Sequence, residues 1–555
     1  MFNGNTAIRL ILAIAACGSF ALLSHAQTND SPPRSAPAGY RISGIVVSKI
    51  DGHPLDRVRV LLRDSKTRKD AESLITSEDG KFTFEHLSAS KYSLEGLKIG
   101  FVSAAYEQHD QYSTAIVTGA GLDTENLVLR LSPETIIAGR VIDEAGEPVR
   151  HAVVMLYRSD HSQGADQIHM FTSAQTDDLG AYELTSLSPG IYFLSVRAEP
   201  WYAVHPPSLT DPAQSGQSAG TSTNLDRSLD VAYPLTYYEN ATETDDATPI
   251  EVAGGERLQI ETQLTPVRAL RLIYRAPGSP RNGFTIPQLE QPVFDGVANV
   301  QMTPVFLSTG VVELTGIPAG RYNIRIPGQN TVNQVNGIEL SKDGEELDTS
   351  GSEALGSVKV SVTVPAETSI PTGLAVGLMR ARALVGGVHP VSAKGETEIA
   401  EVPAGTYEVL VVGGRRTYLI VGLSSDGAQV KGHTLTVPVA ASATVALTLA
   451  VGLDIQGVAK KAGKPFAEAM IVLVPKDPGA NRDLFRRDQS DLDGTFTLHN
   501  VPPGSYTLVA IENGWDLDWS RPEVIAGYVK RGRSVVVSQT SRSVQVKEAV
   551  EVKSK

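Results

Sequence analysis

Apolar side chains alternate with polar ones in many short segments of this chain. In the segment 495–498, phenylalanine and leucine alternate with two threonines, and the same period of two recurs at 82–84 and 182–184. This period places every second side chain on one face of a β-strand. Pro-Gly and Asp-Gly pairs between such segments supply tight turns. The pattern predicts an all-β protein whose strands each bury one face.

A five-residue phrase that closes on a tyrosine recurs along the chain. Four copies occupy residues 188–192, 318–322, 403–407 and 502–506, and an eroded first copy occupies 88–92. The closing residues are Tyr92, Tyr192, Tyr322, Tyr407 and Tyr506, spaced 85 to 130 residues apart. This spacing is the size of a small domain and is too long for a solenoid repeat. The repeat therefore predicts about five similar modules in tandem.

Strands with one buried face must pack sheet on sheet. We therefore predict tandem antiparallel β-sandwich modules of the transthyretin-like or immunoglobulin-like kind, with about seven strands each. The predicted divisions are a signal peptide (1–26), a linker (27–39), module 1 (40–132), module 2 (133–266) with a long loop at 200–250, a divergent module 3 (267–351), a divergent module 4 (352–448), module 5 (449–547) and a polar tail (548–555).

The repeated tyrosine has the same framework position in every copy. We expect its ring to be buried and its hydroxyl to donate to a backbone carbonyl near the Pro-Gly turn, as in a tyrosine corner. Recurrence at one framework position favours a structural role for these five tyrosines over a functional one.

The charge balance limits the classes of partner. The chain has 49 Lys and Arg against 62 Asp and Glu, a formal net charge of −13. Nucleic acids and anionic membranes are bound by clustered basic residues, which this sequence lacks. We therefore expect neither as a partner.

The first residues have the pattern of an export signal. Arg9 is followed by an apolar run at 10–23 and by the small-residue triplet Ser24-His25-Ala26. We predict cleavage after Ala26 and export to the periplasm, the cell surface or the extracellular space. No later stretch has the length and apolarity of a membrane span. Cys17 is the one cysteine; it either belongs to the apolar part of the signal or becomes the lipid anchor of a lipoprotein.

Three of the modules share an ordered set of short motifs. The set is Gly-x-Val, a turn ending in Gly-x-Pro, an apolar strand, Asp-x-Gly-x-Phe/Tyr and Pro-x-Gly-x-Tyr, and it matches well at 40–105, 136–199 and 453–512. This order resembles the carboxypeptidase regulatory-like domain, and modules 3 and 4 match it in part. The resemblance implies a prealbumin-like sandwich, grouped with carbohydrate-binding-like folds, of the kind that accompanies metallocarboxypeptidases and many envelope proteins. It implies little about function.

Chemistry-bearing motifs are weak in this sequence. None of the 11 histidines has the spacing of a zinc carboxypeptidase site. The Gly-x-Ser-x-Gly pattern at 216–220 lies in a Ser- and Gly-rich loop and not between a strand and a helix. Aspartates at 177–178 and at 491–493 either form turns or bind calcium, and the spacing favours turns. We predict no enzyme activity, no catalytic residues, no metal and no cofactor.

All three tryptophans follow the strand that carries the repeated tyrosine. The residues singled out as candidate glycan ligands are Trp201, Tyr202, Trp515, Asp516, Asp518 and Trp519. Aromatic faces beside carboxylates suit sugar rings, which stack on the rings and donate hydrogen bonds to the acids. The alternative is that these aromatics cap the sandwich or pack against a neighbouring module.

Two functional hypotheses follow from the sequence. The first is an exported, non-catalytic scaffold or interaction protein of the cell envelope, whose partner is an envelope protein. The second is a polysaccharide-binding protein that uses the aromatic loops of its modules.

Overall fold

The computed structural model describes residues 39–65, 72–205, 226–275, 286–308, 311–327, 332–347, 356–365, 369–380, 383–414, 416–538 and 543–555. The predicted signal peptide, Cys17, most of the linker and the motif at 216–220 lie outside these residues. Strands dominate the described chain. Short 3-10 turns occupy Arg227–Leu229, Thr244–Asp246 and Arg482–Leu484, and an α-helix, α1, occupies Pro522–Val529.

Module 1 is built from strands in two sheets. They are β1 (Tyr40–Ser48), β2 (Arg59–Asp64), β3 (Glu72–Ile75), β4 (Lys81–Leu87), β5 (Lys91–Leu97), β6 (Phe101–Val102), β7 (Ala104–Ala105), β8 (Ile116–Val117) and β9 (Leu127–Pro133). The sheet orders are β4-β1-β9-β6 and β3-β2-β5-β7, with β8 beside β5. The sheets enclose a core that includes Ile42, Leu94 and Leu129, all fully buried.

Module 2 has two facing sheets and a short extra ladder. Its strands are β10 (Thr135–Ile142), β11 (Val153–Asp160), β12 (Gln167–Gln175), β13 (Ala181–Leu187), β14 (Gly190–Arg197), β15 (Val231–Ala232), β16 (Thr236–Tyr237), β17 (Ile250–Val252), β18 (Arg257–Gln263) and β19 (Val267–Arg268). The orders are β13-β10-β18, β12-β11-β14-β16 with β17 beside β14, and β15-β19. The predicted long loop at 200–250 therefore contains strands, since β16 and β17 extend the sheet of β14.

Modules 3 and 4 have complete sandwiches despite their divergent sequences. Module 3 contains β20 (Leu270–Arg275), β21 (Gln288–Val293), β22 (Gly296–Asn299), β23 (Thr303–Ser308), β24 (Val311–Ile317), β25 (Gly320–Pro327), β26 (Val332–Leu340) and β27 (Glu345–Glu346). Module 4 contains β28 (Gly356–Thr363), β29 (Ala375–Arg380), β30 (Ala383–Pro390), β31 (Glu396–Val402), β32 (Gly405–Val412), β33 (Tyr418–Asp426), β34 (Gln429–Lys431), β35 (Thr434–Val437) and β36 (Ser442–Val451). The orders are β23-β24-β20-β27 with β22-β21-β25-β26, and β31-β28-β36-β33 with β30-β29-β32-β35-β34.

Module 5 includes the residues predicted to be a polar tail. Its strands are β37 (Leu453–Lys461), β38 (Lys464–Pro465), β39 (Met470–Pro475), β40 (Arg486–Gln489), β41 (Thr495–Val501), β42 (Gly504–Glu512), β43 (Arg533–Val537), β44 (Ser543–Gln545) and β45 (Val550–Ser554). Strand β45 pairs with both β37 and β42 and so links the two halves of the sandwich. The tail prediction was wrong because Val550 and Val552 alternate with polar residues and bury their side chains in the core.

The first and last long strands of a module pair in parallel, although most other pairs are antiparallel. This pairing joins β1 with β9, β10 with β18 and β28 with β36. It also explains the glycine of the Gly-x-Val motif. A Cβ at Gly139 would lie 1.8 Å from the carbonyl oxygen of Ile260 on the parallel strand, and one at Gly44 would lie 2.1 Å from that of Leu127. Only glycine permits this approach of the two backbones.

The repeated tyrosine forms the same contact in every module. All five rings are buried. Each hydroxyl donates to the carbonyl oxygen four residues earlier, at distances of 3.1, 2.8, 2.6, 2.5 and 2.8 Å for Tyr92, Tyr192, Tyr322, Tyr407 and Tyr506. Burial raises the pKa of Tyr506 to about 12. The hydroxyl thus supplies a donor to a carbonyl of the turn, and in module 1 the Ser88 carbonyl also accepts from the Thr118 hydroxyl at 2.7 Å.

Removal of one such hydroxyl tests this contact. In Tyr506→Phe the Pro502 carbonyl loses its donor, so we expect the free energy of unfolding of module 5 to fall by about 1 to 2 kcal/mol. Hydrogen exchange in β41 and β42 as a function of denaturant measures this for one module of a multidomain chain. The control is Tyr528→Phe on α1, since the Tyr528 hydroxyl has no partner among the described residues. If Tyr506→Phe and Tyr528→Phe lowered the free energy of unfolding equally, the stabilising role of the Tyr506 hydrogen bond would be contradicted.

Candidate functional site

The aromatic loop of module 5 folds back over its own sheet. Trp519 is 9% exposed and packs edge-on against Phe485, with ring centroids 5.7 Å apart. It belongs to an apolar cluster that also contains Ile525 of α1 and the outward side chains of β39 and β42. The exposed ring that a glycan platform requires is therefore not found at Trp519.

Arg487 of β40 lies at the centre of this region and is 8% exposed. Its guanidinium carbon lies 4.6 Å from the ring centroid of Trp519, 5.6 Å from that of Trp515 and 5.2 Å from that of Tyr112 in module 1. Cation–π contacts of this kind are strongest when water is excluded. The two indole nitrogens are buried without a hydrogen-bond partner among the described residues, so the tryptophans contribute their ring faces.

Two further modules supply the oxygen acceptors of this guanidinium. Its Nη2 lies 3.0 Å from a carboxylate oxygen of Asp110 in module 1 and 3.0 Å from the carbonyl oxygen of Ser162 in module 2. Modules 1, 2 and 5 thus meet at one buried charge. We refer to Arg487, Asp110, Tyr112, Ser162, Trp515 and Trp519 together as the Arg487 junction.

Trp515 extends the contact between modules 1 and 5. The His109 ring stacks on it, with centroids 4.8 Å apart and an interplanar angle of 7°. His109 Nδ1 also lies 3.2 Å from the side-chain oxygen of Gln489, whose amide donates to the carbonyl of Glu107 at 2.6 Å. Burial lowers the pKa of His109. Burial therefore favours the neutral imidazole over the charged one beside the indole.

A second set of contacts links modules 1 and 5 at the Asp-Leu-Asp turn. Asp491 pairs with Lys91 and accepts a hydrogen bond from the Ala115 amide at 3.0 Å. Burial raises the pKa of Asp491, and the adjacent Lys91 opposes this effect. The Asp491 carboxylate is thus used in an intermodule contact. Among the described residues no cluster of His, Cys, Asp or Glu has the arrangement of a metal site.

The two candidate acids of the module 5 loop also have protein partners. Asp518 lies 2.9 Å from His161 Nδ1 and accepts from the Asp166 amide at 2.8 Å, both in module 2. Burial opposes ionisation of Asp518, but these hydrogen bonds lower its pKa. Asp516 pairs with Lys555. Both carboxylates are engaged within the folded chain.

The candidate aromatic pair of module 2, Trp201 and Tyr202, lies in a more exposed environment than the module 5 loop. Trp201 is 86% exposed and meets the Tyr202 ring edge-on at 5.8 Å. Glu144 accepts hydrogen bonds from the hydroxyls of Tyr202 and Tyr233, the latter at 3.1 Å. Burial and the adjacent Glu144 raise the pKa of Tyr202 to about 12. The structure therefore presents one of the three tryptophans to solvent, and glycan binding there stays a prediction.

Sequence reasoning did not find Arg487 or its partners in module 1. Arg487 and Gln489 are the buried positions of β40, whose sequence Arg-Arg-Asp-Gln contains no apolar residue. A strand that buries polar side chains gives no hydrophobic period to detect. Asp110 and Tyr112 lie in a loop, with Asp110 377 positions before Arg487, and no local signal connects them to β40.

Comparison with known families agrees with the repeated motifs. Residues 136–220 match the carboxypeptidase regulatory-like domain. This chain contains a carboxypeptidase regulatory-like domain. Residues 38–107 match the second β-sandwich domain of NOMO1-like subunits of the BOS complex. The regulatory-like domain thus covers most of module 2, and a related sandwich covers most of module 1.

Similarity to solved structures is distant. The Bacillus anthracis TIE protein is 11% identical, with 74% of this chain and 68% of that chain covered and a TM-score of 0.17. The full-length major pilin RrgB from Streptococcus pneumoniae is 10% identical, with 91% and 94% covered and a TM-score of 0.18. TM-scores this low do not show that the modules are arranged as in these proteins. No curated protein matches the sequence of this chain.

The helices of the described chain are few and short. None of them has both the length and the apolar character needed to cross a bilayer.

The partly buried Asp488 beside Arg487 gives a pH-dependent prediction. Burial raises its pKa in the folded chain to about 6, and the nearby Asp491 adds to this effect. An unfolded aspartate ionises near pH 4. Between these pH values the folded state holds a proton that the unfolded state has lost. Stability from this group is therefore greatest at low pH and falls as the pH rises through about 6.

Asp488→Asn removes this charge and keeps an acceptor for the Thr497 amide, which lies 2.6 Å from the carboxylate. We expect the variant to gain on the order of 1 kcal/mol in stability at pH 7.5 and little at pH 4. Hydrogen exchange in module 5 at both pH values measures the difference. The exposed Asp178→Asn serves as the control and should change neither value. A gain that is equal at both pH values would contradict the shifted titration.

Proposed function

We propose that this protein is an exported, non-catalytic scaffold that holds β-sandwich modules in a fixed arrangement. The observation that carries the proposal is the Arg487 junction, in which one buried charge takes partners from modules 1, 2 and 5. A buried guanidinium without partners is strongly unfavourable, so the three modules stabilise one another's positions.

Other intermodule contacts support a fixed arrangement. Phe294 of module 3 lies 5.0, 4.9 and 5.7 Å from the rings of Tyr157, Phe193 and Tyr237 in module 2. His433 of module 4 pairs with Asp483 of module 5. Interfaces between domains are often mobile when they are small and polar. Aromatic packing at one interface and a desolvated charge at another favour rigidity.

Removal of the charge at the junction tests the scaffold proposal. In Arg487→Met the cation–π contacts are lost and the Asp110 carboxylate, whose side chain is 28% exposed, loses its partner, so we expect a destabilisation of about 1.5 to 3 kcal/mol. We expect faster hydrogen exchange in residues 105–115 and 160–166 and a larger radius of gyration by small-angle X-ray scattering. The exposed Arg531→Met is the matched control.

Tyr112→Ala provides a second variant, since it removes a module 1 ring and leaves the module 5 core intact. If Arg487→Met does not fold, this variant should still show the loosened junction. Unchanged exchange and scattering in both variants would contradict a scaffold held by these contacts.

A second candidate function is polysaccharide binding at Trp201. The observation that favours it is the 86% exposure of an indole beside Tyr202. Aromatic side chains are enriched at binding interfaces relative to the rest of a protein surface. An apolar ring face of this kind suits the face of a sugar ring.

The glycan function predicts that Trp201→Ala abolishes retention of the protein on polysaccharides. Pull-down of residues 27–555 on insoluble polysaccharides and affinity electrophoresis in soluble ones measure this retention. Leu179→Ala, which removes an exposed apolar side chain of the same module, should bind as the unaltered protein does. Absence of retention for the unaltered protein, or its persistence in Trp201→Ala, would contradict a site at Trp201.

A further inference from the structure

A groove of about 820 Å³ lies between modules 1 and 2. One wall contains Lys49 and the segment 102–111 of module 1, and the other contains the end of β11 and the turn at Ser188-Pro189. Its size is that of sites that hold a compact ligand of several rings. It is separate from the surface that carries Trp201.

Arg158 of β11 is the unusual side chain of this groove. Its guanidinium carbon lies 5.9 Å from the ring centroids of both Phe171 and Tyr192, and its Nε is buried without a partner. No residue in the described part of the chain accepts a hydrogen bond from this side chain. Because Arg158 lines the groove and has no acceptor within the described chain, its guanidinium has donors left for a carboxylate in the groove.

Module 4 has an arginine, Arg380, at the position that corresponds to Arg158. Arg158 pairs with the repeated Tyr192 across the sheet. Arg380 follows Met379, which pairs with Glu408 beside the repeated Tyr407, so the two arginines occupy corresponding positions. Arg380 donates to the Ala404 carbonyl of its own Pro-Ala-Gly turn at 3.1 Å. In module 2 the corresponding turn does not take up the arginine, which lines the groove instead.

The other charged groups of the groove differ in whether they already have a partner within the chain. Asp110 is paired with Arg487. Asp160 accepts from the Ser162 amide at 2.9 Å and lies 3.5 Å from His169 Nε2. Lys49 on the opposite wall is exposed, and its ammonium group has no ion-pair partner among the described residues. Arg158 also attracts Asp160 electrostatically, but neither Arg158 nor Lys49 has a hydrogen-bonded or ion-paired acceptor among the described residues, so both cations keep donors for a ligand.

The uncharged part of the lining is rich in hydroxyl and amide groups. It includes Ser103, Ser132, Ser188, Gln111 and Gln163. Such groups both donate and accept hydrogen bonds, as sugar hydroxyls do. We propose that this groove binds an anionic polysaccharide, with the carboxylate of a uronic acid residue on the Arg158 guanidinium and Lys49 as the second positive charge. The planar guanidinium matches a carboxylate in two-point geometry.

Calorimetric titration of residues 27–555 with trigalacturonate tests this site, with the neutral sugar maltotriose as the comparison. We expect binding of the acidic trimer that weakens as salt is raised, and no binding of the neutral one. Arg158→Gln should weaken binding by about ten- to a hundredfold. Arg158→Lys should give a smaller loss because an ammonium keeps the charge without the two-point geometry.

Matched variants decide whether the effect belongs to the groove. Lys49→Gln changes an exposed residue that should not affect folding, and we expect it to weaken binding severalfold. Arg150→Gln removes an exposed arginine of module 2 outside the groove and should bind as the unaltered protein does. Thermal melting checks that each variant is folded.

Several outcomes would overturn the proposal. They are no binding of trigalacturonate by the unaltered protein, equal binding of maltotriose, and equal losses in Arg150→Gln and Lys49→Gln. Equal affinity for triglutamate would replace the polysaccharide by an acidic peptide and overturn the sugar assignment. None of these outcomes bears on the Arg487 junction, whose variants are measured by exchange and scattering.

Discussion

The cost of removing a guanidinium from water must be offset by hydrogen bonds and ring contacts, and Arg487 receives these from three modules. Module 5 gives two indole faces, module 1 gives a carboxylate and a phenol ring, and module 2 gives a backbone carbonyl. No one of these modules surrounds the charge alone. The positions of modules 1, 2 and 5 are therefore interdependent, and the loop that carries Trp515 and Trp519 is ordered by the same contact. The groove between modules 1 and 2 keeps its shape because Asp110 and Ser162, which line it, are fixed by this arginine.

The sequence predicted the modules well because their signals are local. Alternating strands, Asp-Gly turns and the Pro-Gly-x-Tyr phrase all lie within a few residues of the contacts that they form. Even the hydroxyl bond of Tyr506 spans only four positions. The C-terminal strand was missed because its alternating segment, Val550-Glu551-Val552, is too short to distinguish a strand from a polar tail. The junction was missed for a stronger reason: a buried arginine is favourable only in the presence of partners that the sequence places in other modules.

The aromatic residues show how one sequence feature takes different roles in related modules. The tryptophans follow equivalent strands in modules 2 and 5, but the module 5 loop is covered by α1 and by module 1, whereas Trp201 is left in solvent. Arg158 and Arg380 differ in the same way. Arg380 donates a hydrogen bond to its own turn, whereas Arg158 faces a groove. The common framework explains these positions, and the neighbouring modules decide what each side chain contacts. For this reason the repeat predicts the fold of the chain far better than its binding surfaces.

The parallel pairing of the first and last long strands has a mechanical consequence. Because the two strands run in the same direction, the chain enters a module at one pole and leaves it at the other. A single residue separates β9 from β10 and β36 from β37, so tension would pass from one sandwich directly into the next. Tension applied at the two poles would slide the first strand along the last and load their whole ladder of hydrogen bonds at once. Opening the pair from one end would load the bonds one by one. Modules 1, 2 and 4, in which this pairing spans five to seven residue pairs, are thus built to resist stretching along the direction of the chain.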